Sequence, residues 1–304
     1  MNPSRSLARS LVKHWEFYAL LALPLAWYVI FQYIPMYGVQ IAFKDFNPVK
    51  GINGSPWVGL KYFQEFFQAY YFSRLIINTL LLSLYNIVFG FPIPILLALL
   101  INEIKGTAVK KVLQNITYVP HFLSVVVVAG MAYTFLHQDT GIVNLLLKTL
   151  GMEPVAFMQS PGWFRTVFVS TGVWQEAGWA AIIYLAALSG IDPSLYEAAK
   201  IDGASRLRRI WHISIPGIAP TIIILFILRI GHVMDIGFEK TLLMQNSLNA
   251  ESSDIIQTFI YATGIQQARY SFTGAIGLFN SLINFALLIV ANRIARWKSD
   301  TSLW

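Results

Sequence analysis

The chain has 304 residues, 56% of them hydrophobic and 12% charged, whereas a soluble domain carries about 25% charged residues. With a mean hydropathy of +0.57 and apolar residues in blocks long enough to cross a bilayer, the composition argues against a soluble enzyme and for a polytopic, all-α membrane protein. The net charge of +7 fits lysine and arginine gathered in cytoplasmic loops better than a nucleic-acid partner, and the absence of cysteine removes disulfides, thiolate nucleophiles and cysteine-based metal sites.

Six spans follow in chain order. The first, about Phe17 to Pro35, comes after a basic start carrying Arg5, Arg9 and Lys13 that also resembles a secretory signal. No Ala-x-Ala site follows, so a retained helix is expected. The second, Ile76 to Ile101, has no charge, and Pro92 and Pro94 should kink it or loosen its backbone bonding. The third, Tyr118 to Leu136, is valine-rich and enters through Pro120. The fourth, Val167 to Ile191, contains Glu176. The fifth, Pro216 to about Ile236, contains Arg229, His232 and Asp235. The sixth, Ala275 to about Ala295, sets Asn280 and Asn284 one turn apart on a polar face. In the loop before it, Asp254 to Arg269 has helical spacing. With no internal repeat or low-complexity tract, residues 1–304 read as one membrane domain.

Orientation follows from the basic residues. With the N-terminus inside, the cytoplasmic segments hold 13 lysines and arginines and the opposite loops 8. Both termini are then cytoplasmic in a multi-pass protein of the cytoplasmic membrane. Trp15, Tyr37, Tyr118 and Trp297 near span ends fit interfacial belts.

The loop Asp192 to Pro220 lies on that inner side. Asp192 can cap a helix starting at Pro193, and Gly203 can end it about ten residues later. Its centre is Glu197, Ala198 and Ala199, with Leu195 supplying bulk. Physical chemistry alone also allows a charged hairpin that merely joins two spans. A second helix, basic through Arg206, Arg208 and Arg209, is expected along the inner interface before Pro216 starts the next span.

Glu197-Ala198-Ala199, three residues, Gly203, nine residues, then Ile213-Ser214-Ile215-Pro216 resembles the EAA motif of ABC-importer permeases. Ile215 stands where leucine is usual. Asp202-Gly203-Ala204 and the stretches Gly237 to Asn246 and Ala275 to Asn284 resemble the carbohydrate-uptake branch, permeases for oligosaccharides or polysaccharides. The resemblance implies that Leu195, Glu197, Ala198, Ala199, Asp202 and Gly203 dock an ATPase subunit. It further implies a second homologous permease, two ATPase subunits that carry ATP and magnesium, an extracytoplasmic binding protein and a saccharide substrate. No cofactor, metal or catalytic residue is expected in this chain, and no phosphate-binding Gly-x4-Gly-Lys-Ser/Thr occurs.

Two rival readings share some of these features. An ion-coupled secondary transporter would also carry a few intramembrane charges, but no inverted repeat is visible. An intramembrane enzyme would need His121, His137, His212 and His232 to cluster, and no His-Glu-x-x-His spacing occurs. Finally, Glu176 lies fifteen residues from Ile191 and Arg229 thirteen from Pro216, roughly 22 and 20 Å above the inner span ends at 1.5 Å per residue. They are expected at similar depth, either as a buried ion pair or with Arg229 and His232 adding positive potential to a path for an acidic saccharide. Asn280 and Asn284 are expected to face the same path or to bond between helices.

Overall fold

A computed structural model describes residues 13–298 and 301–303, with the Lys298 side chain left out. Arg5 and Arg9, and the chain ends whose cytoplasmic placement was expected, lie outside the described residues. Four helical stretches are long and apolar enough to cross a membrane, and six if each of two bent pairs counts as one span. The described residues fall into two compact units, residues 13–67 with 263–278, and residues 68–262 with 279–298 and 301–303.

The first unit begins with α1 (Trp15–Tyr28), which continues through a π-helical turn, Val29–Tyr33, and further helical turns to Phe43. The span therefore runs past Pro35, and Tyr37 sits within this helical run instead of at its end. Beyond it, Lys44 pairs antiparallel with Trp57 and its Nζ donates to the Ile52 carbonyl at 2.8 Å. Helix α2 (Lys61–Gln68) turns Tyr62 and Phe66 inward against Phe272, and Arg269 pairs with Glu65. The Tyr62 hydroxyl donates to Asp45 at 2.6 Å. Burial, then that bond to the carboxylate, pushes the phenol up from 10.0 to about 12. Because the folded value is raised, the stabilisation is complete below pH 10 and is lost as pH climbs toward 12.

In the second unit, α3 (Phe72–Tyr85) passes through a π-helical turn, Asn86–Gly90, into α4 (Pro92–Asn102). Proline lacks an N–H and its ring crowds the carbonyl four residues back. A widened turn accommodates this without breaking the helix. The same device precedes Pro35 and, as Ile210–Ser214, precedes Pro216. Its last use corrects an expectation. The basic segment Arg206–Arg209 is no separate interfacial helix, because it runs through the π turn into α10 (Ile215–Ile230), forming one 25-residue span. That span ends at Ile230 and not near Ile236, so His232 and Asp235 lie in the turn beyond it.

The third expected span is also corrected. Tyr118 to Leu136 is not one helix. Helix α5 (Thr107–Tyr118) passes through a short turn, Val119–Phe122, and α6 (Val125–Phe135) leaves at 98°. Leu123 and Ser124 are extended, and the Ser124 hydroxyl caps α6 by accepting from Val127 N–H. The freed Leu123 carbonyl accepts from the Gln175 amide at 2.9 Å. After α7 (Ile142–Thr149), the 29-residue α8 (Pro161–Ser189) forms the spine of the unit, longer at its start than expected. One apolar cluster sets Phe164 and Phe168 of α8 with Leu82, Met244 and Ile255, and a second sets Ala181, Tyr184 and Leu188 with Ala98, Leu99 and Ile218. Helices α9 (Pro193–Ile201), α11 (Phe238–Met244) and α12 (Tyr270–Lys298) follow, α12 starting in the first unit. The expected helix at Asp254 to Arg269 is shorter, Ile256–Ile260 followed by a π turn.

Two outcomes test these contacts. A Cβ at Gly178 would run into the Thr117 carbonyl, where a small residue lets two helix backbones approach, so Gly178→Ala should lower the melting temperature of the purified protein by several degrees, corresponding to about 1–3 kcal/mol. In an absorbance titration, the phenolate signal gained near pH 12, well above the ordinary value, should fall by one tyrosine's share in Tyr62→Phe.

Candidate functional site

The loop singled out by its spacing folds as framed. Asp192 caps α9 by accepting from Ser194 N–H at 2.9 Å, and Pro193 is the first helical residue. The Ser194 backbone holds the Asp192 carboxyl below the usual carboxylate range. At the other end Gly203 takes φ of 73°, a left-handed conformation that glycine adopts without strain. Gly203 N–H donates to the Lys200 carbonyl and Ala204 N–H to the Ala199 carbonyl at 2.8 Å, closing the helix in the six-to-one, five-to-two pattern. Leu195, Glu197, Ala198 and Asp202 are exposed, and Ile201 is 86% exposed. Tyr196 turns back to hydrogen-bond Ser214 at 3.0 Å, so the exposed face is held against the base of α10.

Above this, within the same unit, lies a cavity of about 720 Å³ lined by the α3–α4 π turn, Pro94, α8 and the segment from Arg229 to Lys240. Arg229 and Glu176 both line it. They do not form the expected ion pair. Glu176 instead meets His121 Nδ1 at 2.9 Å, and His121 stacks on Trp179 at 4.4 Å. Consecutive side chains of α8, Gln175 and Glu176, thus hold the turn between α5 and α6 at Leu123 and His121.

His232 stands 3.7 Å from Asp235, its Nδ1 against Oδ2. The two asparagines of α12 converge on the same carboxylate, Asn280 donating to Oδ1 at 3.1 Å and Asn284 to Oδ2 at 2.9 Å, while Gln257 donates to Oδ1 at 2.9 Å. Asn284 also accepts from Met234 N–H at 2.9 Å. The polar face of the last span therefore fastens the turn after α10. Asn280 and Asn284 do not line the cavity themselves, but Asp235 does.

Sequence reasoning missed Lys240. Only 8% exposed, it lines the cavity, donates to the Phe168 carbonyl at 2.7 Å and stands 4.7 Å over the Phe168 ring. Gly172 leaves it room, since a Cβ there would come within 3.0 Å of the ammonium. Its only sequence signal was its place, beside Glu239, in the stretch Gly237 to Asn246. Among the described residues no carboxylate lies within ion-pair distance of Lys240 or Arg229.

Replacing Asn284 by leucine would leave Asp235 Oδ2 and Met234 N–H each short of a partner. Thermal unfolding of the purified Asn284→Leu protein should show a loss of about 1–3 kcal/mol.

The model of the family described as binding-protein-dependent transport system inner membrane component matches residues 66–299. Over 279 residues the chain is 46% identical to the protein LplB of Bacillus subtilis (strain 168), covering 92% of this chain and 88% of LplB. It is 42% identical to YteP of the same organism, a polygalacturonan/rhamnogalacturonan transport system permease protein, over 91% of this chain and 87% of YteP. Among solved structures it resembles a chain of a bacterial alginate ABC transporter in complex with alginate pentasaccharide-bound periplasmic protein. There the TM-score is 0.90 with 41% identity, over 97% of this chain and 99% of that one. The chain belongs to this family and is a multi-pass inner-membrane permease subunit of a binding-protein-dependent ABC importer.

Proposed function

We propose that this permease conducts oligosaccharides or polysaccharides bearing uronic acids, in a heteromeric assembly with a second, related permease. Two ATPase subunits bind ATP with magnesium and dock on α9, and an extracytoplasmic binding protein delivers the saccharide. Both termini are cytoplasmic, and residues 1–304 work as one transport domain.

The observation that carries the docking half is the exposed, doubly framed α9, which offers Leu195 and Ile201 beside the low-profile Ala198. Apolar side chains held outward by a capped helix and tied to the adjacent span suit a partner protein better than they suit a plain connector. The charge preference is supported by the cavity wall. Glu176 is engaged by His121 and Asp235 by three amides, so Arg229 and Lys240 are left facing the cavity without an acid. Glu239 also borders it, so the lining holds more carboxylates than cations and the preference rests on the two cations standing without an ion-pair partner. The relatives' printed substrates, polygalacturonan or rhamnogalacturonan and alginate, are acidic saccharides and point the same way.

In proteoliposomes holding the assembled complex, a galacturonate trimer should be taken up with ATP hydrolysis and in preference to a neutral trisaccharide. Arg229→Gln should lower its uptake by about tenfold, the loss of one charge-assisted hydrogen bond, with neutral uptake unchanged. Uptake driven by an ion gradient without ATPase subunits would sink the reading. Gly203→Asp, which forces a side chain into left-handed backbone, should abolish co-purification of the ATPase subunits.

A further inference from the structure

Arg209 lies on the first helical turn leading into α10, at one of the nine positions between Gly203 and Ile213 that the motif leaves unspecified. Its side chain is 12% exposed, unlike a solvated surface arginine. One guanidinium nitrogen, Nη1, donates to the Ala204 carbonyl at 2.9 Å. The other, Nη2, stands 3.7 Å from Glu103 Oε2, and the Glu103 side chain is 19% exposed. Ala204 is the residue whose N–H closes α9 on the Ala199 carbonyl. Glu103 immediately follows α4, and α4 with the π turn before it forms one wall of the cavity through Phe91, Pro94 and Gly90. A planar, permanently charged fork suits such a two-sided grip, and a half-desolvated ion pair is screened less than a surface one.

We infer that Arg209 is a positioning residue that latches the closed end of the docking helix to the inner end of the second span, so that α9 and α4 move as one piece when the ATPase subunits close. This rests on α9 being the ATPase-docking helix. Tyr196 and Ser214 make the complementary tie to α10. With both ties in place, displacement of α9 reaches two spans that contribute residues to the cavity. With the Arg209 tie cut, α10 still follows α9 through Tyr196 and the continuous chain, whereas α4 has lost its polar link. A merely structural arginine would lower stability without changing how the two helices move relative to each other.

The chain has no cysteine, so paired spin labels at Lys200 and Leu100 carry no background from it. Distances are measured in the purified complex with its ATPase subunits, before and after trapping with ATP and vanadate. The wild type should keep one separation in both states. Arg209→Gln should keep its ATPase subunits yet shift to a longer, broader separation on trapping, and Glu103→Gln, which reads the same contact from the span side, should do the same. A separation that changes in the wild type, or stays fixed in both glutamine variants, overturns the latch. Should Gly203→Asp retain its ATPase subunits, the docking assignment itself fails, an outcome distinct from a failed latch.

Discussion

In hydrocarbon every backbone N–H and C=O must find a partner within the protein, because no water is there to replace it. That requirement explains both the regular and the irregular parts of this permease. Where proline removes a donor, as before Pro92 and Pro216, the helix widens by a π turn and carries on. Where the chain does leave helical geometry, at Leu123 and Ser124, a side chain from α8 reaches the freed carbonyl. The non-helical turn after α10 is fastened in the same way, Met234 N–H by Asn284. At both of these sites a polar side chain from another helix receives the irregular backbone.

The charges follow a related economy. Glu176, Asp235 and Lys240 each sit where a polar partner is already in place: a histidine, a set of amides, a helix carbonyl. The two carboxylates are occupied with holding the breaks, whereas Arg229 and Lys240 line the cavity with no carboxylate at ion-pair distance among the described residues. The cavity wall thus owes its character to which charges are already engaged as much as to which are present.

How far the sequence could be read depended on the range of the forces involved. Helix α9 was legible because its limits are local: an aspartate cap, a proline at the first position and a glycine needed for positive φ, all within twelve residues. The apolar spans were legible for the same reason. The break at Leu123 was not, since the side chains that hold it, Gln175 and Glu176, are over fifty residues away. The pairing of Glu176 with Arg229 failed because equal depth along two helices leaves their rotation about the axis undetermined, and the break placed His121 beside Glu176 first. Lys240 gave no local signal of its place in the wall, because the carbonyl that holds it, on Phe168, is 72 residues away. The expected start of a span at Pro216 failed because proline is also compatible with the interior of a helix when the turn before it is widened.

The π turn at Ile210–Ser214 has one further consequence. It holds one residue more than an α-turn would need, and each residue of an α-helix turns the chain by about 100°. That surplus sets the phase between the inner end of α10 and the membrane-embedded part above it. Deleting a single residue there would leave a regular helix, satisfied in every backbone bond, whose lower end faced a different quadrant. Arg209 would then point away from Glu103, and the docking loop would be carried round with it. The irregularity therefore acts as a phase setting between two otherwise ordinary lengths of helix.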